Sequence, residues 1–209
     1  MREGLSRVEV IDELLLFIVA GCETTGTALA WFIYFMSKNP RVQAKIKAEL
    51  GDNKQNRVSV EQIESLTYLD CVIQELFRFL PPVVGTTRTL TIDDQLPGSG
   101  IQLHKGDETF ISFYNLARDK RCWKIDPDLF YPERFQGEDK DHHPYASIPF
   151  GGHRRCIGQD LARFELKAII VKLMQHVTFG DGGDQVNAGG YIQKMTVIPK
   201  HIGVAITFD

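Results

Sequence analysis

The hydrophobic pattern is strongest near the start of the chain. Leu14–Met36 runs for 23 residues with a single charged side chain, Glu23. A stretch of that length can span a bilayer, but its middle carries a carboxylate, threonines and glycines, which are costly in lipid. The pattern therefore favours a buried central helix over the alternative of a transmembrane span. Taken from Arg7 to Lys38, this helix would be ~48 Å long and would cross the middle of a sizeable protein.

Shorter helices are predicted after it, each bounded by a start or stop signal. A proline starts the next helix and a glycine ends it, and Ser59 with Gln62 forms a capping box. Thr67 with Asp70 resembles a second, weaker box. The polar stretch 52–58 predicts a loop. The predicted helices are Pro40–Leu50, a short one after Ser59, Thr67–Leu80 and Leu161–Val177.

Strands are predicted between and after these helices, where β-branched residues meet turn signals. Lys105-Gly106-Asp107 indicates the turn of one hairpin, and the last two strands are predicted to form another. The predicted strands are Thr86–Ile92, Ile101–His104, Glu108–Phe113, Tyr191–Ile198 and His201–Phe208. Together the elements predict a mainly α protein with small β-sheets, in the α+β class.

Composition narrows the classes of function. The 209 residues are 43% hydrophobic and 24% charged, which suits one or two globular domains with a core. The net charge of −3 gives no indication of nucleic-acid binding. The four cysteines lack the spacing of a zinc site, and no secretory signal opens the chain, so a reducing compartment is expected.

The stretch that most strongly suggests chemistry is Phe150–Gly158, which reads FGGHRRCIG. It places Cys156 in a glycine-rich loop, after two arginines and just before the last long helix. Positive side chains and the N-terminal end of a helix both favour a thiolate. The loop therefore predicts a sulfur ligand or nucleophile. The alternative is a small buried side chain, which is the usual state of a cysteine near a helix start.

Two further groups of polar residues stand in apolar surroundings. Glu75 and Arg78 lie three residues apart on a predicted helix, so they share a face, and Arg134 in the sequence PERF is a candidate third partner. The alternative is an ordinary surface ion pair. In the long helix, AGCETT (20–25) predicts threonine hydroxyls bonded to carbonyls one turn earlier, with either a kink or a π-type turn.

Taken in order, AGCETT, ExxR (75–78), PERF (132–135) and the cysteine loop closely resemble the cytochrome P-450 family, the haem-thiolate monooxygenases. ExxR alone has little value, but the ordered set is specific. The resemblance covers essentially all 209 residues and corresponds to the C-terminal half of the family fold. It implies that residues 1–209 are the C-terminal portion of a single domain. It also implies that the membrane anchor and much of the substrate pocket belong to an N-terminal part outside this sequence.

The resemblance implies roles for the residues of the loop. Cys156 corresponds to the axial thiolate on the iron of haem b. Arg154 corresponds to an arginine that meets a haem propionate, and Phe150 to the aromatic ring beside the sulfur. Gly152 and Gly158 match the loop glycines. Phe150 precedes Cys156 by six positions where relatives have seven, which predicts either a shifted Phe150 or a strained loop.

The resemblance implies roles outside the loop as well. Glu23 and Thr24 correspond to an acid–alcohol pair that relays protons during oxygen activation. Arg88 lies where relatives often hold the second propionate. The ExxR pair and Arg134 correspond to a buried triad that braces the cysteine loop.

The implied activity is insertion of one atom of O₂ into an apolar organic substrate. Electrons would come from a flavoprotein reductase or a ferredoxin, and the full-length protein would lie at the endoplasmic reticulum membrane.

A haem-thiolate isomerase or dehydratase of the same fold is one alternative, and a non-catalytic fragment that binds haem or a protein partner is another. Four basic residues near the sulfur form either a docking face for the redox partner or a solvated surface: Arg154, Arg155, Arg163 and Lys167.

Overall fold

The computed structural model describes residues 4–51 and 58–209, so the predicted loop over 52–58 lies outside the described residues except at its last position. The helices are α1 (Arg7–Lys38), α2 (Pro40–Leu50), α3 (Val60–Glu64), α4 (Thr67–Phe79), α5 (Phe113–Leu116), α6 (Gln159–His176) and α7 (Asp184–Asn187). The strands are β1 (Gly85–Thr89), β2 (Asp94–Gln95), β3 (Gln102–Leu103), β4 (Glu108–Ser112), β5 (Val177–Asp181), β6 (Tyr191–Gln193), β7 (Val197–Pro199) and β8 (Val204–Phe208). A 3-10 turn spans Pro132–Phe135. The predicted α+β class is confirmed.

The two halves of α1 lie in different environments. The helix begins with a capping box, in which the Ser6 hydroxyl accepts from the Glu9 N–H and the Glu9 carboxylate accepts from the Ser6 N–H. Thr27 to Ser37 supply the buried positions, whereas the large apolar side chains from Leu5 to Val19 are exposed. The prediction of a buried helix is therefore right for the C-terminal half and wrong for the other, which no described element covers. By length and composition, α1 also passes as a candidate membrane span.

The core lies where the C-terminal half of α1 meets α2, α4 and α6. Aromatic rings fill its centre, and Phe35 stacks on Phe130 with ring centroids 4.7 Å apart. The largest fully buried apolar side chains are Phe32, Met36, Ile46, Leu69, Leu76, Leu166, Ile170 and Met174. This packing fixes α4 and α6 relative to α1, and the loop before α6 carries Cys156.

The described strands form four two-stranded antiparallel sheets, paired as β1–β4, β2–β3, β5–β8 and β6–β7. Both predicted hairpins are wrong. The turn at Lys105-Gly106-Asp107 extends the β1–β4 pairing instead, because Gly106 donates to the Leu90 carbonyl and Leu90 donates to the Asp107 carbonyl. The terminal strand β8 pairs with β5, which follows α6, and not with β7. Packing between residues far apart in the sequence therefore determines these strand pairings, and local turn signals do not predict them.

The start of α4 is capped from outside its own sequence. The predicted box of Thr67 with Asp70 does not form, and Leu66 occupies the N-cap position. The Glu49 carboxylate from the end of α2 accepts from the N–H groups of Tyr68 and Leu69 at 2.7 and 3.0 Å. A carboxylate at this position satisfies unpaired N–H groups and matches the helix dipole.

Glu133, in the 3-10 turn, joins this turn to two helices. Its carboxylate accepts hydrogen bonds from Arg41 and Lys45 of α2 and from the hydroxyl of Tyr68 of α4. Burial alone raises the pKa of the Glu133 carboxyl, but the hydrogen bonds outweigh it and lower that pKa to about 2. The folded state therefore favours the ionised carboxylate.

We expect Glu133→Gln to reduce the free energy of unfolding at pH 7 by ~1–3 kcal/mol. Because the pKa of Glu133 is depressed in the folded state, its contribution is complete above the ordinary value of 4.5 and is lost as the pH falls toward about 2. Urea unfolding of the wild type and the variant from pH 7 downward measures this difference. A difference that does not shrink below pH 4.5 contradicts the assignment.

Candidate functional site

A cavity of about 570 Å³ lies between the middle of α1 and the cysteine loop, within the ~300–1,000 Å³ range of cofactor and ligand pockets. Its walls are mostly apolar. Side chains from α1, α4, the segment after α4, α5 and α6 form them: Phe17, Phe77, Pro82, Val83, Phe113, Leu161, Ala162 and Leu166.

The α1 wall is built from the AGCETT segment. Ala20, Gly21, Thr24 and Thr25 recur at helical spacing and therefore share the face that lines the cavity. The Thr24 hydroxyl donates to the Ala20 carbonyl at 2.8 Å, as predicted. The helix nevertheless continues as α-helix through this segment, so of the two alternatives, a kink or a π-type turn, the π-type turn is excluded.

Glu23 does not lie on this wall. Neighbouring residues on an α-helix point about 100° apart, so Glu23 occupies the adjoining face of α1. Its Oε1 accepts a hydrogen bond from Thr196 Oγ1 at 2.9 Å, and Thr196 lies between β6 and β7. The structure thus brings Thr24 to the cavity but not Glu23. Thr196 escaped sequence analysis because 173 positions separate it from Glu23.

The cysteine loop forms the opposite wall. Phe150, Gly151, Cys156 and Gly158 line the cavity, whereas Gly152 is not among the lining residues. The Cys156 N–H donates to the Phe150 carbonyl at 2.8 Å and closes the loop. Of these lining residues only Gly151, at φ +79°, has a positive φ, and every positive φ in the described chain belongs to a glycine. The shorter loop therefore closes without placing a non-glycine residue in the left-handed region.

Phe150 anchors the loop to α4. Its ring meets that of Phe77 edge to face, with centroids 4.9 Å apart. The guanidinium carbon of Arg163 lies over the Phe150 ring, 5.7 Å from its centroid. Gly158 is the N-cap of α6, so the Cys156 thiol lies exposed at the N-terminal end of that helix. The loop thereby presents a sulfur atom toward an apolar cavity.

Two arginines reach the cavity from different elements. Arg88 extends from β1 and Arg154 from the cysteine loop. Among the described residues, neither guanidinium forms an ion pair with an acidic side chain. Within the described part of the chain, Arg88 donates to its own strand, to Thr86 Oγ1 at 2.6 Å and to the Thr87 carbonyl at 2.8 Å. Two cations without carboxylate partners suit a ligand that carries acidic groups.

The four basic residues considered for partner docking do not form one surface. Lys167 is buried, where it pairs with Asp70 at 2.8 Å and donates to the Ile63 carbonyl. Arg154 lines the cavity, and the Arg163 Nε is buried. Arg155 alone of the four is exposed away from the cavity wall. The docking face predicted from all four residues is therefore wrong for Lys167.

Glu75, Arg78 and Arg134 meet in the protein interior, and all three are fully buried. Arg78 Nε and Nη2 donate to the two Glu75 oxygens at 2.7 and 2.9 Å, and Arg134 Nε donates to Glu75 Oε1 at 3.1 Å. The surface ion pair held open as the alternative is excluded. The carboxylate also accepts from the Tyr131 N–H at 2.7 Å.

Every N–H of both guanidiniums has an acceptor. The remaining donors of Arg78 bind the carbonyls of Ala117, Pro127 and Leu129. Those of Arg134 bind the carbonyls of residues 125, 126 and 129 and the Asp139 carboxylate at 3.1 Å. Sequence analysis missed Asp139, which balances the second positive charge. The cluster is thus neutral and fully hydrogen bonded, as buried charges must be.

These hydrogen bonds run to residues 117–139 and not to the cysteine loop. The link to the loop is indirect within the described chain. Phe77 lies between the two members of the ExxR pair on α4, and it is Phe77 that packs on Phe150. The cluster therefore holds the irregular segment after α5 against α4, and α4 in turn supports the loop.

Comparison with known proteins agrees with this arrangement. The chain is 39% identical to cytochrome P450 4V2 of Rattus norvegicus over 176 residues, which cover 82% of this chain and 33% of the relative. It is 35% identical to cytochrome P450 6l1 of Blattella germanica over 82% of the chain and 35% of the relative. It is 33% identical to cytochrome P450 3A17 of Cavia porcellus over 96% of the chain and 38% of the relative.

The matched region is thus little more than a third of the length of these relatives. A sequence profile of the family described as Cytochrome P450 matches residues 1–190, which is most of the chain. Together with the ordered motifs and the cavity that joins them, this match leads to one conclusion. The chain belongs to the cytochrome P450 family.

Proposed function

We propose that residues 1–209 form the haem-binding, C-terminal portion of a single cytochrome P450 domain. The full-length protein would be a haem-thiolate monooxygenase that transfers one atom of O₂ to an apolar organic substrate. One observation carries this proposal: a single apolar cavity has Cys156, two arginines without acidic partners and the Thr24 side chain on its walls. When bound, haem b supplies the activation of O₂ and the oxygen transfer.

The side chains around the cavity fit haem b. Cys156 offers a sulfur ligand for the iron, at the loop between Phe150 and α6. Arg88 and Arg154 offer two cations for the two propionate groups. The apolar side chains of the walls would contact the porphyrin faces and exclude water. Glu165 is the acidic side chain on these walls, and it belongs to α6 on the sulfur side of the cavity.

Proton handling is assigned to Thr24 and Glu23. The Thr24 hydroxyl lies at the cavity and holds its proton on the Ala20 carbonyl, so it must turn away from this carbonyl to donate into the cavity. Glu23 comes directly before Thr24 in the chain and lies on the adjoining face of α1. It is an ionisable group that can replace the proton that Thr24 donates. Both residues belong to α1, whose C-terminal half is fixed in the core.

The partners follow from the same chemistry. Val83 and Phe113 on the cavity walls favour an apolar substrate. Electrons would come from a flavoprotein reductase or a ferredoxin, with exposed Arg155 available to meet an acidic surface. The full-length protein is assigned to the endoplasmic reticulum membrane, with membrane association through the part of the protein that precedes these residues.

We expect Thr24→Ala to leave haem binding intact while the rate of product formation falls about 10²-fold, because general acid–base groups contribute ~10²–10⁴-fold. Oxygen consumption continues, so product formed per O₂ consumed drops. Thr25→Ala is the matched control, since Thr25 is the next residue and also lines the cavity. Oxygen electrode and product assays on the haem-loaded full-length protein measure both quantities. An equal loss in both variants would show that Thr24 has no special role.

The same assays separate the proposal from its rivals. Product that requires O₂ and a reductase supports the monooxygenase. Product from an organic hydroperoxide with no reductase and no O₂ consumption identifies an isomerase or dehydratase. Failure of the full-length protein to bind haem at all would identify a protein that acts only by binding partners.

A further inference from the structure

We propose that Thr196 is a positioning residue for Glu23, which its hydroxyl holds on the flank of α1 beside the cavity wall. The inference rests on the proposed function, because it gives a use to a contact that lies outside the cavity. It concerns the proton pathway and not the haem site itself.

The contact is part of a short chain of three side chains. Thr196 Oγ1 lies 2.9 Å from Glu23 Oε1 and 2.9 Å from Thr27 Oγ1. Both threonines are buried, with exposed fractions of 1% for Thr196 and 5% for Thr27, whereas Glu23 is half-buried. Within the described residues, the Thr196 hydroxyl is the one hydrogen-bond donor to the Glu23 side chain. The orientation of this carboxylate therefore depends on one hydroxyl.

The direction of the hydrogen bonds follows from the single proton of the Thr196 hydroxyl. Thr196 Oγ1 donates this proton to Glu23 Oε1. Thr27 must then donate its own proton to Thr196 Oγ1. The chain runs from Thr27 through Thr196 to Glu23 and holds the Glu23 side chain in one orientation.

Thr196 is itself held rigidly, as a positioning residue must be. The neighbouring Val197 carbonyl accepts from Trp31 Nε1 at 2.6 Å, and the Val197 N–H donates to the Pro82 carbonyl at 2.9 Å. The Thr196 carbonyl accepts from the Lys194 N–H at 2.9 Å. The turn between β6 and β7 is thus tied both to α1 and to Pro82, which lines the cavity. The residue that orients Glu23 is therefore attached to α1 and to Pro82, and both contribute to the walls of the cavity.

The experiment compares three variants of the haem-loaded, full-length protein. Thr196→Val removes the hydroxyl at nearly constant volume, and Thr196→Ser keeps it. Thr27→Val removes the Thr27–Thr196 hydrogen bond, which Thr196→Val also removes, but leaves the donor to Glu23, so the two variants differ by the Thr196–Glu23 hydrogen bond. Two quantities are measured: the infrared carboxylate stretch of Glu23, identified by its loss in Glu23→Gln, and the product formed per O₂ consumed.

We expect Thr196→Val to shift the Glu23 band and to lower the product formed per O₂ about five- to tenfold, which is within the range for the loss of one hydrogen bond. Thr196→Ser should restore both values, and Thr27→Val should keep the band. A role in stability alone would make Thr27→Val and Thr196→Val equal in both measurements, which would overturn the inference. An unshifted band in Thr196→Val would also overturn it, while leaving the proposed function in place. If Glu23→Gln itself leaves the product per O₂ unchanged, the proposed relay is wrong, and a shifted band then still supports Thr196 as the residue that orients Glu23.

Discussion

Cys156→Ser is expected to abolish the strongly red-shifted Soret band of the haem-loaded protein after reduction and treatment with CO. That band reports a thiolate bound to the iron, and a serine hydroxyl stays protonated and cannot take its place. The structure motivates this expectation because Cys156 lines the cavity at the N-terminal end of α6. Product formation should fall to the background rate, since the sulfur donates electron density that favours cleavage of the O–O bond.

The other cysteines of the chain supply matched controls. Cys22 is exposed on α1 but is not among the lining residues of the cavity, so Cys22→Ser should keep the band. Cys71 is buried in α4, where burial first and nearby carboxylates second raise the pKa of its thiol to about 11. A thiol in that state is a poor ligand. Survival of the band in Cys156→Ser, or its loss in Cys22→Ser, would contradict the assignment of the sulfur ligand.

The helices could be predicted from the sequence because their signals are local. Arg7–Lys38 was predicted with the bounds that the structure has, and Pro40–Leu50 likewise, since a proline and a glycine mark the ends of α2. The capping box at Ser59 is also present. Each of these signals lies within the helix that it predicts or at the ends of that helix, so it does not depend on a partner elsewhere in the chain.

Strand pairing and helix environment could not be predicted in the same way. The pairing of β8 with β5 joins Phe208 to Val177, which are far apart in the sequence, and no turn signal reports it. Glu49 replaces the predicted cap of α4 for the same reason, because it reaches the helix from the end of α2. Burial of α1 was predicted from its apolar composition, but composition does not say which half has a partner to pack against.

The candidate site likewise contains residues that local motifs identify and residues that only the structure identifies. Ordered motifs identified Cys156, Thr24 and the ExxR pair, because each motif carries its chemistry in adjacent residues. The hydrogen-bond partners of these residues could be identified only from the three-dimensional structure. Asp139 completes the charge balance of Arg134, and Thr196 orients Glu23. A lone aspartate and a lone threonine have no pattern of their own in a sequence, so only their position in space makes them part of the site.

The buried charge cluster yields the second large effect. Glu75→Gln is expected to reduce the free energy of unfolding by ~3–5 kcal/mol, because removal of one partner leaves a buried charge uncompensated. Asp139 would then be the one carboxylate left in the cluster, and it contacts Arg134 but not Arg78, so the Arg78 charge would have no partner. The glutamine amide would also direct N–H groups at donors that now meet a carboxylate oxygen. Urea unfolding at pH 7 measures the loss.

Two further variants make this prediction specific. Glu64→Gln changes an exposed carboxylate at the end of α3 and should alter the unfolding free energy by no more than ~0.5 kcal/mol. Arg78→Lys keeps the positive charge but has three donors for the five hydrogen bonds that Arg78 makes, so it should also be strongly destabilising. If charge alone mattered, Arg78→Lys would behave like the wild type.

The cluster should also affect the cavity, through a route that the structure defines. Loss of Glu75 frees the segment around Tyr131 and loosens α4, whose Phe77 packs on Phe150 of the cysteine loop. We therefore expect Glu75→Gln protein that remains folded to lose haem faster than the wild type, with transfer of haem to an excess of apomyoglobin as the measurement. Phe77→Leu, which removes the aromatic contact and leaves the charges intact, should speed haem loss without the large fall in stability. Equal haem retention in Phe77→Leu and the wild type would show that the cluster supports the loop by some other path than this pair of rings.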